Sequence, residues 1–295
     1  MYPKTSLINR TLPQSVVSQS FRLLAIFVLG ISCLSGPPAQ AAAPTAEELE
    51  PKCKDLLVAF NNGLTNGDFT ELYGKIAKVW QQQTDVQSLN QSFAPLAAKG
   101  FVGEGVADAA ITFTAVNPPD PTGVVQVEGF LNTTNNYRIL FSIKFYSEED
   151  AWACIGINVN FAPYTDPATL TLPGPEELVQ MVTTSMRGFD QALAAQSFAA
   201  FHTGLHPAFQ NAVSPEQFAE IFQPFLSQGI RLESTLDNLE FTTTAAPAID
   251  DAGNLVVIGF YPSTPARTNF ETKYHPDPAN GEWKLISINV NIAQE

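Results

Sequence analysis

Trp152-Ala153-Cys154-Ile155-Gly156-Ile157-Asn158-Val159-Asn160 and Trp283-Lys284-Leu285-Ile286-Ser287-Ile288-Asn289-Val290-Asn291 are one phrase written twice in a chain of 295 residues. Each alternates in the period-two manner of a β-strand. Strict alternation puts Trp152, Cys154, Gly156, Asn158 and Asn160 on one face, and Ile155, Ile157 and Val159 on the other. The second phrase divides the same way, with Leu285, Ser287, Asn289 and Asn291 against Ile286, Ile288 and Val290. Both faces carry apolar groups, so each strand is expected to be covered on both sides.

The match extends backwards from both phrases. Residues 60–101 align without a gap with residues 189–230 at a constant offset of 129, the step from Phe60 to Phe189. Phe60, Leu64, Phe69, Gln81, Phe93, Pro95 and Gly100 meet Phe189, Leu193, Phe198, Gln210, Phe222, Pro224 and Gly229. Gly129-Phe130 meets Gly259-Phe260, and Arg138, Phe141 and Lys144 meet Arg267, Phe270 and Lys273. Such self-similarity marks an internal duplication. Units of 42–162 and 176–295 are expected, with the Pro-rich stretch 163–175 as linker.

Each unit opens with helical periodicity. Leu56, Phe60 and Leu64 recur every four residues, and Phe69, Leu72, Ile76 and Trp80 follow at helical spacing. Leu89, Phe93 and Leu96 mark a further helix, and Gly100 and Gly229 read as helix stops. Strands then take over at 255–261, 267–274 and 283–292, with turns at Asn117–Gly123 and Asp250–Gly253. Helices followed by antiparallel strands give an α+β class, the helices gathered on one face of a sheet.

This order resembles the nuclear-transport-factor-2-like superfamily, in particular its exported bacterial members. The resemblance rests on helices first, then a Gly-Phe strand, an Arg-x-x-Phe-x-x-Lys strand and the closing Trp-Lys-Leu-x-x-Ile-Asn-Val. It implies a cone in each unit, made by a bent sheet closed with helices. The superfamily holds isomerases, dehydratases and cyclases beside non-enzymatic members, so the resemblance does not choose an activity. Its isomerases pair an Asp base with Tyr and Asp donors, and no positions here match that set.

Cys53 and Cys154 have Val182 and Leu285 as counterparts, so both members of the pair are replaced together. A contact between the first helix and the last strand explains this, either as a disulfide or as two buried thiols. In that arrangement the Cys154 face looks into the cone, and Asn158 and Asn289 line it together with Tyr73 and His202. The Ile155-Ile157-Val159 face then looks outward, where the two units could cover each other sheet to sheet as a pseudo-dimer.

His202 and His206 stand four apart on an expected helix, a spacing able to chelate a metal. No acid completes a motif, and Tyr73 and Ala77 fill the places in the first unit, so no metal or cofactor is expected. Arg138 with Lys144, and Arg267 with Lys273, form a basic strip on the face opposite Phe141 and Phe270. That strip reads as a solvated face or as an anion site. No nucleophile elbow, Gly-rich phosphate loop or Cys/His cluster occurs, and no catalytic residue is assigned.

Lys4, Arg10 and Arg22, an apolar run at 23–34 and Ala39-Gln40-Ala41 form a secretory leader pattern with cleavage after Ala41. Twelve apolar residues reach only about 18 Å as a helix, short of a bilayer core of about 30 Å. Cys33 follows a poor lipobox. Loss of three basic and no acidic residues takes the net charge from −14 to −17. Such acidity disfavours nucleic acid and anionic lipid as partners. The expected protein is a periplasmic or secreted, non-catalytic binding or accessory module for a small apolar ligand or an envelope protein. The alternatives are an isomerase, hydratase or cyclase using one cone, and a structural partner of an envelope complex.

Overall fold

The structure, a computed structural model, describes residues 43–294 except Asp150, Leu239, Thr264 and Pro265. The expected leader and Cys33 lie outside the described residues. Among the described residues no helix is long and apolar enough to cross a membrane.

The chain is α+β with two antiparallel sheets. Helix α1 (Ala46–Asn66) begins with a capping box between Thr45 and Glu48 and ends on Gly67 at φ 68°. Short helices α2 (Thr70–Tyr73) and α3 (Lys78–Gln81) lead to α4 (Val86–Ala97), which Asp85 caps. Strands β1 (Ile111–Val116), β2 (Val124–Asn132), β3 (Tyr137–Glu148) and β4 (Ala151–Pro163) pair in sequence order. After a 3-10 turn at Pro167–Thr169, helix α5 (Pro175–Ala195) opens the second half. Helices α6 (Ala199–Thr203), α7 (Pro207–Ala212), α8 (Pro215–Ile221), α9 (Gln223–Ser227) and α10 (Glu233–Asn238) follow. The second sheet runs β5 (Thr242–Thr243), β7 (Leu255–Tyr261), β8 (Ala266–Pro276), β9 (Trp283–Gln294), with β6 (Ala248–Ile249) also on β7. Gly100 and Gly229, expected as helix stops, take φ of 69° and 60°.

Each half buries its own apolar cluster, one drawn from residues between Leu49 and Phe161, the other from Val182 to Val290. Phenylalanine rings pack on one another in both. Phe60 packs edge-on to Phe93 at 4.9 Å, and Phe189 packs edge-on to Phe222 at 4.7 Å.

The faces of the closing strands differ from strict alternation, and the cause is a β-bulge in each. Lys144 pairs with Gly156 but Phe145 pairs with Cys154, leaving Ile155 unpaired. Lys273 pairs with Ser287 but Tyr274 pairs with Leu285, leaving Ile286 unpaired. An extra residue reverses the facing of everything beyond it. Cys154 therefore shares its core with Ile157, Val159 and Phe161, and not with Asn158. The expected outward face is the inward one, which removes the basis for a sheet-to-sheet pseudo-dimer. Beside each bulge a helix-side amide bonds to the edge strand: Ala77 N–H to the Cys154 carbonyl, and His206 N–H to the Leu285 carbonyl.

The halves meet through polar groups. Arg138 is buried, lies over the Phe130 ring at 4.1 Å, and donates to the Asp251 carboxylate (2.9 Å) and carbonyl (2.7 Å). Thr165, in the linker, donates its N–H to the Ala252 carbonyl. Gly253 sits against it at φ 84°, where a Cβ would fall 2.2 Å from the Thr165 oxygen.

Candidate functional site: a hydroxyl-lined interior in the second half

The inward residues of β2 and β3 are hydrocarbon: Val125, Val127, Leu131, Ile139, Phe141, Ile143 and Phe145 are all buried. The corresponding strands β7 and β8 place Tyr261, Thr268, Thr272 and Tyr274 inward, buried beside Phe270. Glycine makes room in both sheets. A Cβ on Gly259 would come 2.7 Å from the Thr242 carbonyl and 2.8 Å from the Phe270 ring, as one on Gly129 would meet Thr112 and Phe141. Across the interior α5 presents Ser185, where α1 has buried Leu56.

These hydroxyls are partly matched. Tyr274 donates to Ser185 Oγ at 3.1 Å, and Thr268 meets Ser263 Oγ at 3.3 Å. Tyr261 Oη and Thr272 Oγ1 are buried with no hydrogen-bond partner among the described residues. Thr183 stands near Tyr261, and Thr272 near Tyr274, close enough to bear on the phenols but outside hydrogen-bonding geometry. An unmet buried hydroxyl costs about 1–3 kcal/mol. In the first half the one such atom among the described residues is Trp80 Nε1. Burial raises the Tyr261 phenol and pushes Tyr274 up to about 12, so both stay protonated. The interior offers neutral donors and acceptors inside an aromatic wall, with Tyr261 packed on Phe241 and Phe270.

The expected site residues lie elsewhere. Tyr73 donates to the Gln81 carbonyl at 3.3 Å, and His202 Nε2 bonds the Val213 carbonyl at 2.7 Å. Both fasten neighbouring helical turns, as do Gln81 and Gln210, whose amides hold the Ile76 and Leu205 carbonyls. Asn158 and Asn289 fall on the face away from the core because of the bulges, and Asn289 is exposed. Cys53 and Cys154 share the first core as free buried thiols, not as a disulfide. Burial pushes both up to about 12.

His202 and His206 do not share a helix: α6 ends at Thr203, and His206 caps α7 through its Nδ1 and the Ala208 N–H. Among the described residues no three metal-ligating side chains converge. His206 instead meets His275, and both are buried. His275 bonds Thr165 Oγ1 (3.1 Å) through Nε2 and Asn254 Oδ1 (2.9 Å) through Nδ1. Asn254 in turn holds the Asp250 carboxylate, and Asp277 pairs with Lys284. This cluster ties the linker, the β6–β7 turn and α7 to the end of β8.

The interior hydroxyls carried a signal that reading the repeat only for its matches passes over. They are where the two halves disagree: Leu131, Ile139, Ile143 and Phe145 against Tyr261, Thr268, Thr272 and Tyr274. No protein-family model, no characterised protein and no solved structure matches this chain.

Proposed function

We propose that this chain is an exported, non-catalytic binding module made of two diverged copies of one cone-like unit, as its resemblance to the nuclear-transport-factor-2-like superfamily implies. The first copy is a filled scaffold. The second holds a small neutral ligand with an apolar body and a hydrogen-bonding group. The observation that carries this is the pair of buried, unpartnered hydroxyls of Tyr261 and Thr272, set where the first half has hydrocarbon. The copying is supported by the matched bulges at Ile155 and Ile286 and by the matched amide bonds to Cys154 and Leu285. Against an acid–base enzyme stands the state of the buried carboxylates: Asp190 is tied to Arg231 and Asp277 to Lys284.

Native mass spectrometry of the protein isolated from an envelope or secreted fraction tests this. A retained small molecule, absent from the Tyr261→Phe/Thr272→Val double variant, supports it. A bare mass in both, with unchanged uptake of hydrophobic alcohols and ketones, rejects it.

A further inference from the structure

Arg138 and Arg267 sit in the same setting on their sheets. Phe130 pairs with Leu140, two residues beyond Arg138, and Phe260 pairs with Asn269, two beyond Arg267. Each guanidinium consequently lies diagonally over its phenylalanine, at 4.1 Å and 4.7 Å from the ring centre. Their surroundings then part. Arg138 is filled: Asn132 takes its Nε, the Tyr164 ring lies 5.0 Å away, and Asp251 supplies a carboxylate and a carbonyl from the far half. Arg267 is half-exposed, and among the described residues no carboxylate pairs with it.

The group seated on Arg138 is a tight turn, Asp250-Asp251-Ala252-Gly253. Asp250 Oδ1 accepts the Ala252 and Asn254 amides, which leaves Asp251 at the tip to reach the arginine. We propose that the Arg267–Phe260 surface is a docking site for a second protein, whose contribution is a β-turn with an aspartate at its tip. The fork of a guanidinium donates to such a carboxylate and to the carbonyl beside it together, and the aromatic floor fixes the plane of the fork. A second copy of this chain is a poor occupant. Its free turn, Asp120-Pro121-Thr122-Gly123, has the same Asp120 hydrogen bonds but Pro121 at the tip.

That proline is the means of testing. Pro121→Asp with Thr122→Ala writes the Asp-Asp-Ala-Gly turn onto the first half, so that one chain can dock on Arg267 of the next. Sedimentation velocity of the full chain is expected to show concentration-dependent assembly of this variant and none of the wild type. Adding Arg267→Ala should weaken assembly at least about tenfold, the scale of a lost charge-assisted bond. Melting curves of each variant establish that it is folded. A disulfide-closed peptide carrying residues 249–255 gives a second reading: its binding to wild type should fall with Arg267→Ala and with an asparagine in place of Asp251. The proposal is overturned if neither assembly nor peptide binding responds to Arg267→Ala. Wild-type assembly that depends on Arg267 would overturn the choice of a second protein in favour of a second copy.

Discussion

The rings of His206 and His275 meet edge to face, with centroids 5.4 Å apart and planes at 90°. Burial holds both below the ordinary histidine value of 6.5, and His206 adds to the depression of His275, which falls to about 4 against the pull of Asp250. A protonated His275 faces His206, Asp250, Thr165 and Asn254, while His206 faces Asp277 and Lys284. The folded state binds fewer protons than the unfolded chain between these pKa values, so stability present above pH 6.5 is lost as pH falls toward 4. For His275 alone the loss is on the order of 3 kcal/mol. Urea midpoints from pH 7.5 to 4 should show this slope, and His275→Gln should flatten it.

Gly253 of the second half lies directly against Thr165 of the linker. An alanine at 253 has both an unfavourable φ of 84° and a collision with the Thr165 oxygen. Gly253→Ala should release the linker, seen as faster thermolysin cleavage near Leu170 and Leu172. Gly229→Ala, at φ 60° with open space around its Cβ, should cost only about 1 kcal/mol and leave the linker protected.

Hydroxyls inside the second half should respond oppositely to removal. In the ligand-free protein, Tyr261→Phe and Thr272→Val delete unpartnered groups and should leave the melting temperature unchanged or higher. Tyr274→Phe strands Ser185 Oγ and should cost about 1 kcal/mol. A loss of more than that from Tyr261→Phe would mean that its hydroxyl already has a partner.

Cys53 and Cys154 as free thiols, both pushed up to about 12 by burial, should be inert in the native state. Alkylation of the reduced protein by iodoacetamide should proceed only at the rate of unfolding. A disulfide is the state that would break this expectation, since the core brings helix α1 and β4 together there. A gain of two hydrogens in intact mass on reduction would register that state, and its absence would leave both as packing residues.

The bulges make a sharp test of strand facing. Val159→Asn buries an amide in the first core and should cost about 2–5 kcal/mol, whereas Asn158→Ala should cost less than 1. Strict alternation expects the reverse order.

Much of the architecture was legible because it is local. Helical spacing, the left-handed glycines at 100 and 229, and the turn residues each act within a few positions. Ile155 and Ile286 concealed the bulges, since an apolar residue at the inserted place looks like one more step of alternation. That single slip displaced Asn158 and Asn289 from the interior. His275 was invisible as a partner of His206 because the two lie on different elements, which only the β8–α7 contact joins. The interior hydroxyls needed the register of β7 on β8 before Tyr261 and Thr272 could be placed on one side.

Strand β4 is one edge of the first sheet and β9 one edge of the second. Exposed rims of this length are templates on which another extended chain can add itself, the first step of fibrillar aggregation. The unpaired Ile155 and Ile286 break the regular spacing of free amides, and the bonds from Ala77 and His206 occupy the adjacent carbonyls. The irregularity that turns Asn158 and Asn289 out of the interior thus also guards each rim against uncontrolled growth.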